Sequence, residues 1–234
     1  MEKLQTSVII PAAGLGRRMN ASVSKQYLRL NGKPILAHTL DVFEKCPLIN
    51  EIVLVINPEE RDLCQDQVIA AYPYTKVKLV AGGNTRQESV YAGLEAVDPQ
   101  TRIVLIHDGA RPLIRESVIR KSIAETVTHQ ATVVGVPAKN TIKIINEEGF
   151  VEHTPDRNLL VEIQTPQTFA YDLIRAAHQQ AREAGVVGTD DAFLVERLKI
   201  PVKIVVGDYS NIKITTPEDL IIAEAIIRQL AKND

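Results

Sequence analysis

Short apolar runs alternate with amphipathic stretches along most of the chain. The runs are rich in valine and isoleucine, and most do not alternate between apolar and polar positions, which is typical of strands covered on both faces. The predicted strands are Val8–Ile10, Ile52–Ile56, Val77–Ala81, Ile103–Ile106, Thr132–Val136 and Val202–Val206. Strand and helix patterns in alternation predict an α/β fold with an open, mostly parallel sheet and helices on both faces.

The helical patterns between these strands have recognisable ends. Asn57 and Asn84 are predicted N-caps, and Gln87 lies at a capping-box spacing from Asn84. Gly185 suits the position that follows a helix C-terminus. The predicted helices are Pro34–Glu44, Pro58–Tyr72, Asn84–Val97, Arg115–His129, Tyr171–Ala184 and a last helix capped by Thr216-Pro217-Glu218-Asp219.

One segment interrupts this alternation. Thr141–Ile145 and Phe150–Thr154 flank Asn146–Gly149, a pattern that predicts a β-hairpin with a glycine-containing turn. A hairpin of this size buries no core of its own, so we expect it to pack on the body of the protein or on a second chain. The 234 residues suit one domain, 1–234, with this β-arm at about 139–160, and two small domains are the alternative.

Composition narrows the functional classes. The chain is 45% hydrophobic and 24% charged with a net charge of −2, which gives no sign of a nucleic-acid or membrane surface. No run approaches the roughly 20 apolar residues of a membrane span, and the N-terminal run is too short for a signal peptide. Cys46 and Cys64 lack metal-binding spacing and are expected to be free thiols. We therefore expect a soluble, cytoplasmic protein.

The segment Pro11–Gln26, PAAGLGRRMNASVSKQ, is the first candidate for chemistry because it follows the first strand. Its small residues leave backbone N–H groups open to a phosphate, and Arg17, Arg18 and Lys25 can neutralise a polyphosphate. Ligands of open α/β sheets bind beyond the carboxyl ends of the strands, where this loop lies. We predict a nucleotide triphosphate site, the alternative being a tight turn with solvated cations.

Two further segments follow strands at the same edge. Gly82–Ser89, GGNTRQES, is a glycine turn at the beginning of a helix. One interpretation is that its backbone recognises a base or a ribose, and the alternative is that it only caps the helix. In His107–Pro112, HDGARP, Asp108 is placed for Mg²⁺–phosphate chemistry and Arg111 for a second anionic substrate. The alternative for this second segment is a structural Asp–Arg pair on a turn.

Four more residues are uninformative singly: Thr141, Arg157, Thr165 and Lys213. Their clustering as threonines and cations in non-helical segments is compatible with a site for a phosphorylated substrate. Thr189-Asp190-Asp191 predicts a helix N-cap with acids that complement the helix dipole, with metal ligation as the alternative.

Taken in order, these motifs resemble those of a known family. PAAGLGRRM with KQ six residues after Met19, then GG-x-TR-x-ES, HDGARP, HTPDRN, QTPQ and NIKITTPEDL, span Val8 to Leu220. This set is similar to that of the 2-C-methyl-D-erythritol 4-phosphate cytidylyltransferases of non-mevalonate isoprenoid synthesis. The resemblance implies a Rossmann-like fold and transfer of CMP from CTP to the phosphate of methylerythritol phosphate, with release of pyrophosphate.

The resemblance also implies roles for individual residues. The implied CTP-binding residues are Ala12, Ala13, Gly14, Gly16, Arg18, Lys25, Gly83, Asn84, Ser89, Asp108 and Gly109. The implied acceptor-binding residues are Asp108, Arg111, Thr141, Arg157, Thr165 and Lys213. Arg18 and Lys25 would stabilise the pentavalent transition state, and Arg157 and Lys213 would aim the acceptor.

Cofactor and assembly are implied in the same way. Mg²⁺ would be held mainly by the CTP phosphates, so the resemblance implies no dedicated set of protein ligands. The hairpin would be the dimerisation arm of a homodimer and would carry Arg157 into the neighbouring active site. Asn84 stands where the family often has Asp, and it keeps a carbonyl acceptor but loses a charge. Gly109 stands where Ala is also common, which matters little to a backbone contact.

Two other functions are compatible with the same motifs. A cytidylyltransferase acting on ribitol 5-phosphate would share the phosphate loop and the NIK motif, although PAAG and HTPDRN favour methylerythritol phosphate. A non-catalytic nucleotide-binding module on the same fold is the second alternative. The joint presence of Arg18, Lys25, Asp108 and Lys213 argues against that module.

Overall fold

The computed structural model describes residues 4–14 and 24–230. The strands are β1 Thr6–Pro11, β2 Arg29–Leu30, β3 Lys33–Pro34, β4 Glu51–Ile56, β5 Val77–Ala81, β6 Ile103–Ile106, β7 Ala131–Pro137, β8 Ile144–Ile145, β9 Val151–His153, β10 Val161–Ala170 and β11 Lys203–Val206. The helices are α1 Ile35–Lys45, α2 Arg61–Cys64, α3 Arg86–Ala96, α4 Glu116–His129, α5 Tyr171–Glu183, α6 Asp191–Glu196 and α7 Pro217–Leu230. Every strand predicted from the hydrophobic pattern is present, and so is every predicted helix except Pro58–Tyr72, which is broken into shorter turns.

Seven strands form the central sheet in the order β11-β7-β10-β6-β1-β4-β5. The pairs β1–β4, β1–β6, β4–β5 and β7–β11 are parallel. Strand β10 lies between β6 and β7 and is antiparallel to both. The predicted mostly parallel sheet is therefore confirmed, with one reversed strand near its middle.

The sequence does not predict β10, because VEIQTPQTFA mixes polar side chains with a proline in its interior. Proline cannot donate to a ladder and is normally excluded from central strands. The structure accommodates Pro166 where the register of β10 against β7 shifts, between Ile163 and Gln167. The strand is consequently regular on either side of Pro166, and residues Gln164–Phe169 are buried.

Successive residues of β1 point to opposite faces of the sheet, as in any strand. Val8 and Ile10 pack in one core with side chains of α1 and α4, whereas Ile9 packs in a second core with side chains of α3 and α5. Both faces of the sheet are therefore covered by helices, which explains why its strands read as continuous apolar runs.

The predicted start of α3 was wrong by one residue. The N-cap is Thr85 rather than Asn84, and the partner in the capping box is Glu88 rather than Gln87. Thr85 Oγ1 accepts the backbone N–H of Glu88 at 3.1 Å, and Glu88 Oε2 accepts that of Thr85 at 3.1 Å. Glu88 Oε2 also accepts the backbone N–H of Asn84 at 2.7 Å, so one carboxylate holds two loop amides.

Other predicted helix ends are confirmed. The Asn57 side chain accepts the N–H of Glu59, and Gly185 has a φ of +63° after α5. Asp190 caps α6 by accepting the N–H of Phe193 at 2.9 Å. The predicted helix Pro58–Tyr72 is less regular than expected, because a 3₁₀ turn precedes α2 and a π-helical turn, Gln65–Ile69, follows it.

The predicted hairpin is present as β8 and β9, with shorter strands than its pattern suggested. Gly149 adopts a φ of +86° in its turn, a backbone conformation that favours glycine. The side chains of Ile145, Phe150 and Val151 are exposed on this arm, and Leu159 just beyond it is 81% exposed. Within the described part of the chain, no helix has the length and apolar character needed to cross a membrane.

Candidate active site

A cleft opens at the carboxyl ends of β1, β5 and β6, the edge at which open α/β sheets bind ligands. Three of the sequence motifs meet in this cleft, and Lys213 joins them from the segment before α7. Its lining residues are Pro11, Ala12, Ala13, Gly14, Lys25, Gln26, Gly83, Asn84, Thr85, Arg86, Ser89, Asp108, Gly109, Ala110 and Lys213.

The two described ends of the first motif are tied together by Gln26. Its buried side chain donates from Nε2 to the carbonyl oxygen of Ala12 at 2.7 Å and to Glu60 Oε2 at 3.1 Å. Ala12 in turn donates its backbone N–H to the carbonyl oxygen of Val55 at 2.7 Å. Lys25 directly precedes Gln26 in the chain and lines the cleft. The predicted site residues Gly16 and Arg18 lie outside the described residues.

The glycine pair before α3 is required by close packing. A Cβ at Gly82 would lie 2.7 Å from the Cβ of Ala13, and one at Gly83 would lie 2.5 Å from the Cβ of Glu88. Ser89 is buried and shapes the same turn, since its Oγ donates to the carbonyl oxygen of Thr85 at 2.9 Å and accepts the N–H of Gly83 at 3.2 Å. These contacts place a bare backbone beside the first motif.

Asp108 is the centre of charge in the cleft. Lys213 Nζ lies 2.9 Å from Asp108 Oδ2, Arg111 Nε lies 3.5 Å from the same oxygen, and Arg86 Nε lies 3.5 Å from Oδ1. Burial alone would raise the pKa of Asp108, but Lys213, Arg86 and Arg111 lower it well below its usual range. The carboxylate is therefore ionised at every pH at which the protein would work.

Thr165 and His107 hold the Asp108 turn from the core side. Thr165 Oγ1 accepts the backbone N–H of Asp108 at 3.1 Å and lies 3.0 Å from His107 Nδ1, while His107 Nε2 lies 3.0 Å from the carbonyl oxygen of Arg111. A carbonyl only accepts, so Nε2 carries the hydrogen and Nδ1 accepts from Thr165. Burial lowers the pKa of His107 to about 4. His107 is thus a neutral histidine that positions the Asp108 turn.

Arg86 belongs to the cleft although sequence reasoning did not select it. It is the first residue of α3, and its side chain makes ion pairs with Asp108 and with Asp191 from α6. The signal was present in the TR pair of the second motif, but its acidic partners lie far away in sequence. Only tertiary packing brings Arg86 next to Asp108, in the loop after β6, and next to Asp191, at the start of α6.

The predicted acceptor residues divide into two groups. Arg111 contacts Asp108 and donates from Nη1 to the carbonyl oxygen of Asn211 at 2.8 Å, and Lys213 lines the cleft. Thr141 and Arg157 are exposed on the β-arm, where Arg157 Nη1 donates to the carbonyl oxygen of Lys139 at 3.1 Å. Neither is among the cleft-lining residues of this chain, so their role in acceptor binding stays a prediction.

A side-chain-poor loop, a glycine turn and several cations around one ionised carboxylate, at the carboxyl edge of this sheet, define a nucleotidyltransferase. Polyanionic substrates need such fixed charge and backbone N–H groups rather than a strong general base. The chain belongs to the 2-C-methyl-D-erythritol 4-phosphate cytidylyltransferase family, whose sequence model matches residues 6–229.

Similar proteins agree with this membership. A 2-C-methyl-D-erythritol 4-phosphate cytidylyltransferase of Desulforamulus reducens is 50% identical over 222 residues, covering 94% of this chain and 95% of that protein. A second 2-C-methyl-D-erythritol 4-phosphate cytidylyltransferase, that of Caldanaerobacter subterraneus, is 48% identical over 227 residues, covering 97% of this chain and 100% of that protein. The crystal structure of 4-diphosphocytidyl-2C-methyl-D-erythritol synthase from Anaerococcus prevotii superposes with a TM-score of 0.88 at 38% identity, covering 97% of each chain.

Proposed function

We propose that the chain transfers CMP from CTP to 2-C-methyl-D-erythritol 4-phosphate, giving 4-diphosphocytidyl-2-C-methyl-D-erythritol and pyrophosphate. One observation carries this proposal: in a member of this family, the bare loop around Ala12–Gly14, the turn at Gly83 and the Asp108–Lys213 pair line the same cleft. A triphosphate on the loop and a base beside the turn would bring the α-phosphorus of CTP towards Lys213.

The reaction joins two polyanions, so the protein has to screen their repulsion and align them. The attacking oxygen of the acceptor phosphate is already anionic and needs no strong general base. Lys25 and, by resemblance, Arg18 would stabilise charge on the reacting phosphorus. Lys213, held by Asp108, and Arg111, held by Asp108 and the carbonyl of Asn211, would receive the acceptor phosphate with little rearrangement.

The donor set of the cleft suits Mg²⁺ bound mainly through substrate. Asp108 is the sole carboxylate among the described lining residues, and Mg²⁺ in phosphoryl-transfer sites commonly takes one or two carboxylates together with substrate phosphates. We infer that the CTP phosphates hold the ion and that Asp108 is the protein group that would reach it. When bound, Mg²⁺ neutralises charge on the phosphates.

We further infer that the working unit is a cytoplasmic homodimer. The exposed apolar side chains of the β-arm support the dimer, since contiguous exposed apolar surface marks interaction sites. In that dimer Thr141 and Arg157 would complete the neighbour's acceptor site, which accounts for their distance from the cleft lining of their own chain. The free, buried Cys46 and Cys64 agree with a reducing compartment.

An acceptor assay tests the function directly. The purified chain is incubated with CTP, Mg²⁺ and either 2-C-methyl-D-erythritol 4-phosphate or ribitol 5-phosphate, and pyrophosphate and the diphosphocytidyl polyol product are measured. We expect turnover with methylerythritol phosphate. Turnover with ribitol 5-phosphate alone would support the other cytidylyltransferase, and CTP binding without pyrophosphate release would support a non-catalytic module.

A further inference from the structure

Arg86 lies closer to a buried carboxylate, that of Asp191, than to the carboxylate of Asp108 inside the cleft. Its Nη1 lies 2.8 Å from Asp191 Oδ2, whereas its Nε lies 3.5 Å from Asp108 Oδ1. The Asp191 side chain is 2% exposed, and that of Arg86 is 34% exposed. The guanidinium therefore bridges from the protein interior to the cleft wall, and its main counterion is Asp191.

Asp191 is itself fixed from two directions. His178 Nε2 lies 3.1 Å from Asp191 Oδ1, and because an ionised carboxylate only accepts, Nε2 carries the hydrogen in this contact. The His178 ring, on α5, is fully buried. Gln167 Oε1 accepts the backbone N–H groups of Asp191 and Ala192 at 3.1 and 2.9 Å. The carboxylate thus has a defined orientation before any ligand arrives.

The geometry points to Asp191 and His178 as positioning residues for nucleotide binding, which act by holding Arg86 at the cleft wall and limiting its pairing with Asp108. Without Asp191, Arg86 would have Asp108 as its nearest carboxylate and would compete there with Lys213. A guanidinium fixed in advance loses less conformational freedom on binding an anion. This inference rests on the proposed function and assigns a task to two buried polar residues that the reaction itself does not use.

The position of Arg86 in the chain indicates that it serves CTP rather than the acceptor. It begins α3 directly after the Gly83 turn and lines the cleft together with Ser89, whereas Arg111 donates to the carbonyl oxygen of Asn211. The N–H groups of the Arg86 guanidinium that do not face Asp108 or Asp191 are suited to bind phosphate or ribose oxygens. We therefore expect loss of the positioning pair to weaken CTP binding while leaving acceptor binding nearly unchanged.

The test replaces Asp191 by Asn, which keeps the side-chain shape and an oxygen for His178 but removes the charge. CTP affinity is measured by calorimetry without acceptor, and KM is measured separately for CTP and for the acceptor. Asp191→Asn should weaken CTP binding about 10-fold and leave the acceptor KM within about 2-fold. In an Arg86→Ala background the same substitution should have no further effect on CTP affinity.

Two further variants separate positioning from folding. The His178→Gln protein retains a side-chain hydrogen-bond donor and should bind CTP better than the His178→Leu protein. In the Arg86→Ala background, neither substitution of His178 should change CTP affinity. Glu95→Gln breaks an exposed ion pair between the same helices α3 and α5, Arg175 Nε to Glu95 Oε1 at 2.8 Å, and should leave CTP affinity unchanged.

The results distinguish this inference from the proposed function. The positioning role is overturned if Asp191→Asn weakens CTP binding equally with Arg86 present and in the Arg86→Ala background. Wild-type CTP affinity in both Asp191→Asn and His178→Leu would also overturn it. Both conclusions hold even if the wild-type chain is active. A wild-type chain that binds CTP but releases no pyrophosphate would overturn the proposed function. The CTP affinities of the single and double variants of Asp191 and Arg86 would still test the positioning role.

Discussion

Asp108 organises the cationic residues of the cleft through unequal distances. Lys213 is its nearest cation, at 2.9 Å, while Arg86 and Arg111 both lie 3.5 Å away. Arg86 and Arg111 each have another strong partner, Asp191 and the carbonyl oxygen of Asn211 respectively. The orientation of Lys213 therefore depends on Asp108 more than that of either arginine does.

Lys213→Ala, Lys25→Ala and Arg18→Ala should each lower kcat by about 10²–10³-fold, because each would remove a cation from the reacting phosphates. Steady-state pyrophosphate release measures the effect. Lys121→Ala, at an exposed position of α4, is the matched control and should retain full turnover. Near-normal turnover in the Lys25 and Lys213 variants would contradict the roles assigned to this cleft.

His107 links the acid stability of the protein to the Asp108 turn. The histidine is buried and neutral in the folded state, with its pKa lowered to about 4 from an ordinary 6.5. Between these values the unfolded chain binds a proton that the folded chain does not, so stability rises with pH across that window. His38 is partly buried, and this burial lowers its pKa, so it adds to the same trend and a variant is needed to isolate His107.

The free energy of unfolding should fall by about 3 kcal/mol through His107 as pH decreases from 6.5 to 4. Urea unfolding at several pH values measures this loss. His107→Asn should be less stable at pH 8 but should show a flatter dependence between pH 4 and 6.5. Identical slopes for the wild type and the variant would mean that His107 is not the group responsible.

At the scale of elements, the start of α3 couples helix capping to the cleft. Glu88 accepts the N–H groups of Asn84 and Thr85, and Ser89 accepts that of Gly83, so the turn is held from within the helix. A side chain at Gly83 would collide with Glu88, on which this arrangement depends. The glycine is therefore needed for close packing rather than for an unusual φ.

Gly83→Ala should weaken CTP binding about 10-fold or more, because its Cβ would displace Glu88 and open the turn. Calorimetric titration with CTP measures the change. Gly185→Ala is the matched control: its φ of +63° makes the substitution destabilising by about 1 kcal/mol, but the residue lies outside the cleft. A Gly83→Ala protein with wild-type CTP affinity would show that the turn does not contact the nucleotide.

At the scale of the whole molecule, the β-arm leaves apolar surface that the described part of the chain does not cover. Phe150 and Leu159 are 69% and 81% exposed, and the neighbouring start of β10 exposes Val161 and Ile163. Isolated exposed apolar residues are ordinary, but a cluster on one projecting element indicates an interface. A second copy of the chain is the partner that the family resemblance implies.

The protein should sediment as a dimer at micromolar concentration, and Leu159→Ser combined with Phe150→Ser should shift it towards monomer, because both remove apolar area from the interface. Analytical ultracentrifugation measures the change. Val187→Ser removes an equally exposed apolar side chain from the loop after α5 and should leave the dimer intact. A monomeric wild type would contradict the proposed assembly.

Mixed subunits test whether the active site is shared. Arg157→Ala and Lys25→Ala chains should each be nearly inactive as homodimers, whereas their heterodimer should recover part of the activity, since one of its two sites has both residues intact. Differently tagged chains allow the heterodimer to be purified before the assay. A confirmed heterodimer without activity would argue that Arg157 does not act on the neighbouring site.

Local sequence determined the elements and the motifs, because these depend on neighbours along the chain. Val/Ile runs defined β1, β4, β5 and β6 on the basis of burial on both faces, and the loops that follow β1, β5 and β6 carried the cleft residues. Small residues, glycines and cations are recognisable without tertiary contacts. The same reasoning failed at the cap of α3, where Asn84 and Thr85 are both good capping residues and the turn geometry decided between them.

Tertiary structure decided what depends on distant partners. Strand β10 is central only because β6 and β7 flank it and a register shift accommodates Pro166, which no local propensity indicates. Asp191 resembled a helix-capping acid until the packing of α6 and α3 placed it against Arg86. Charge pairs form between side chains that folding brings within a few ångströms. The sequence therefore named Lys25, Asp108 and Lys213 but missed Arg86, whose partner Asp191 lies far away in the chain.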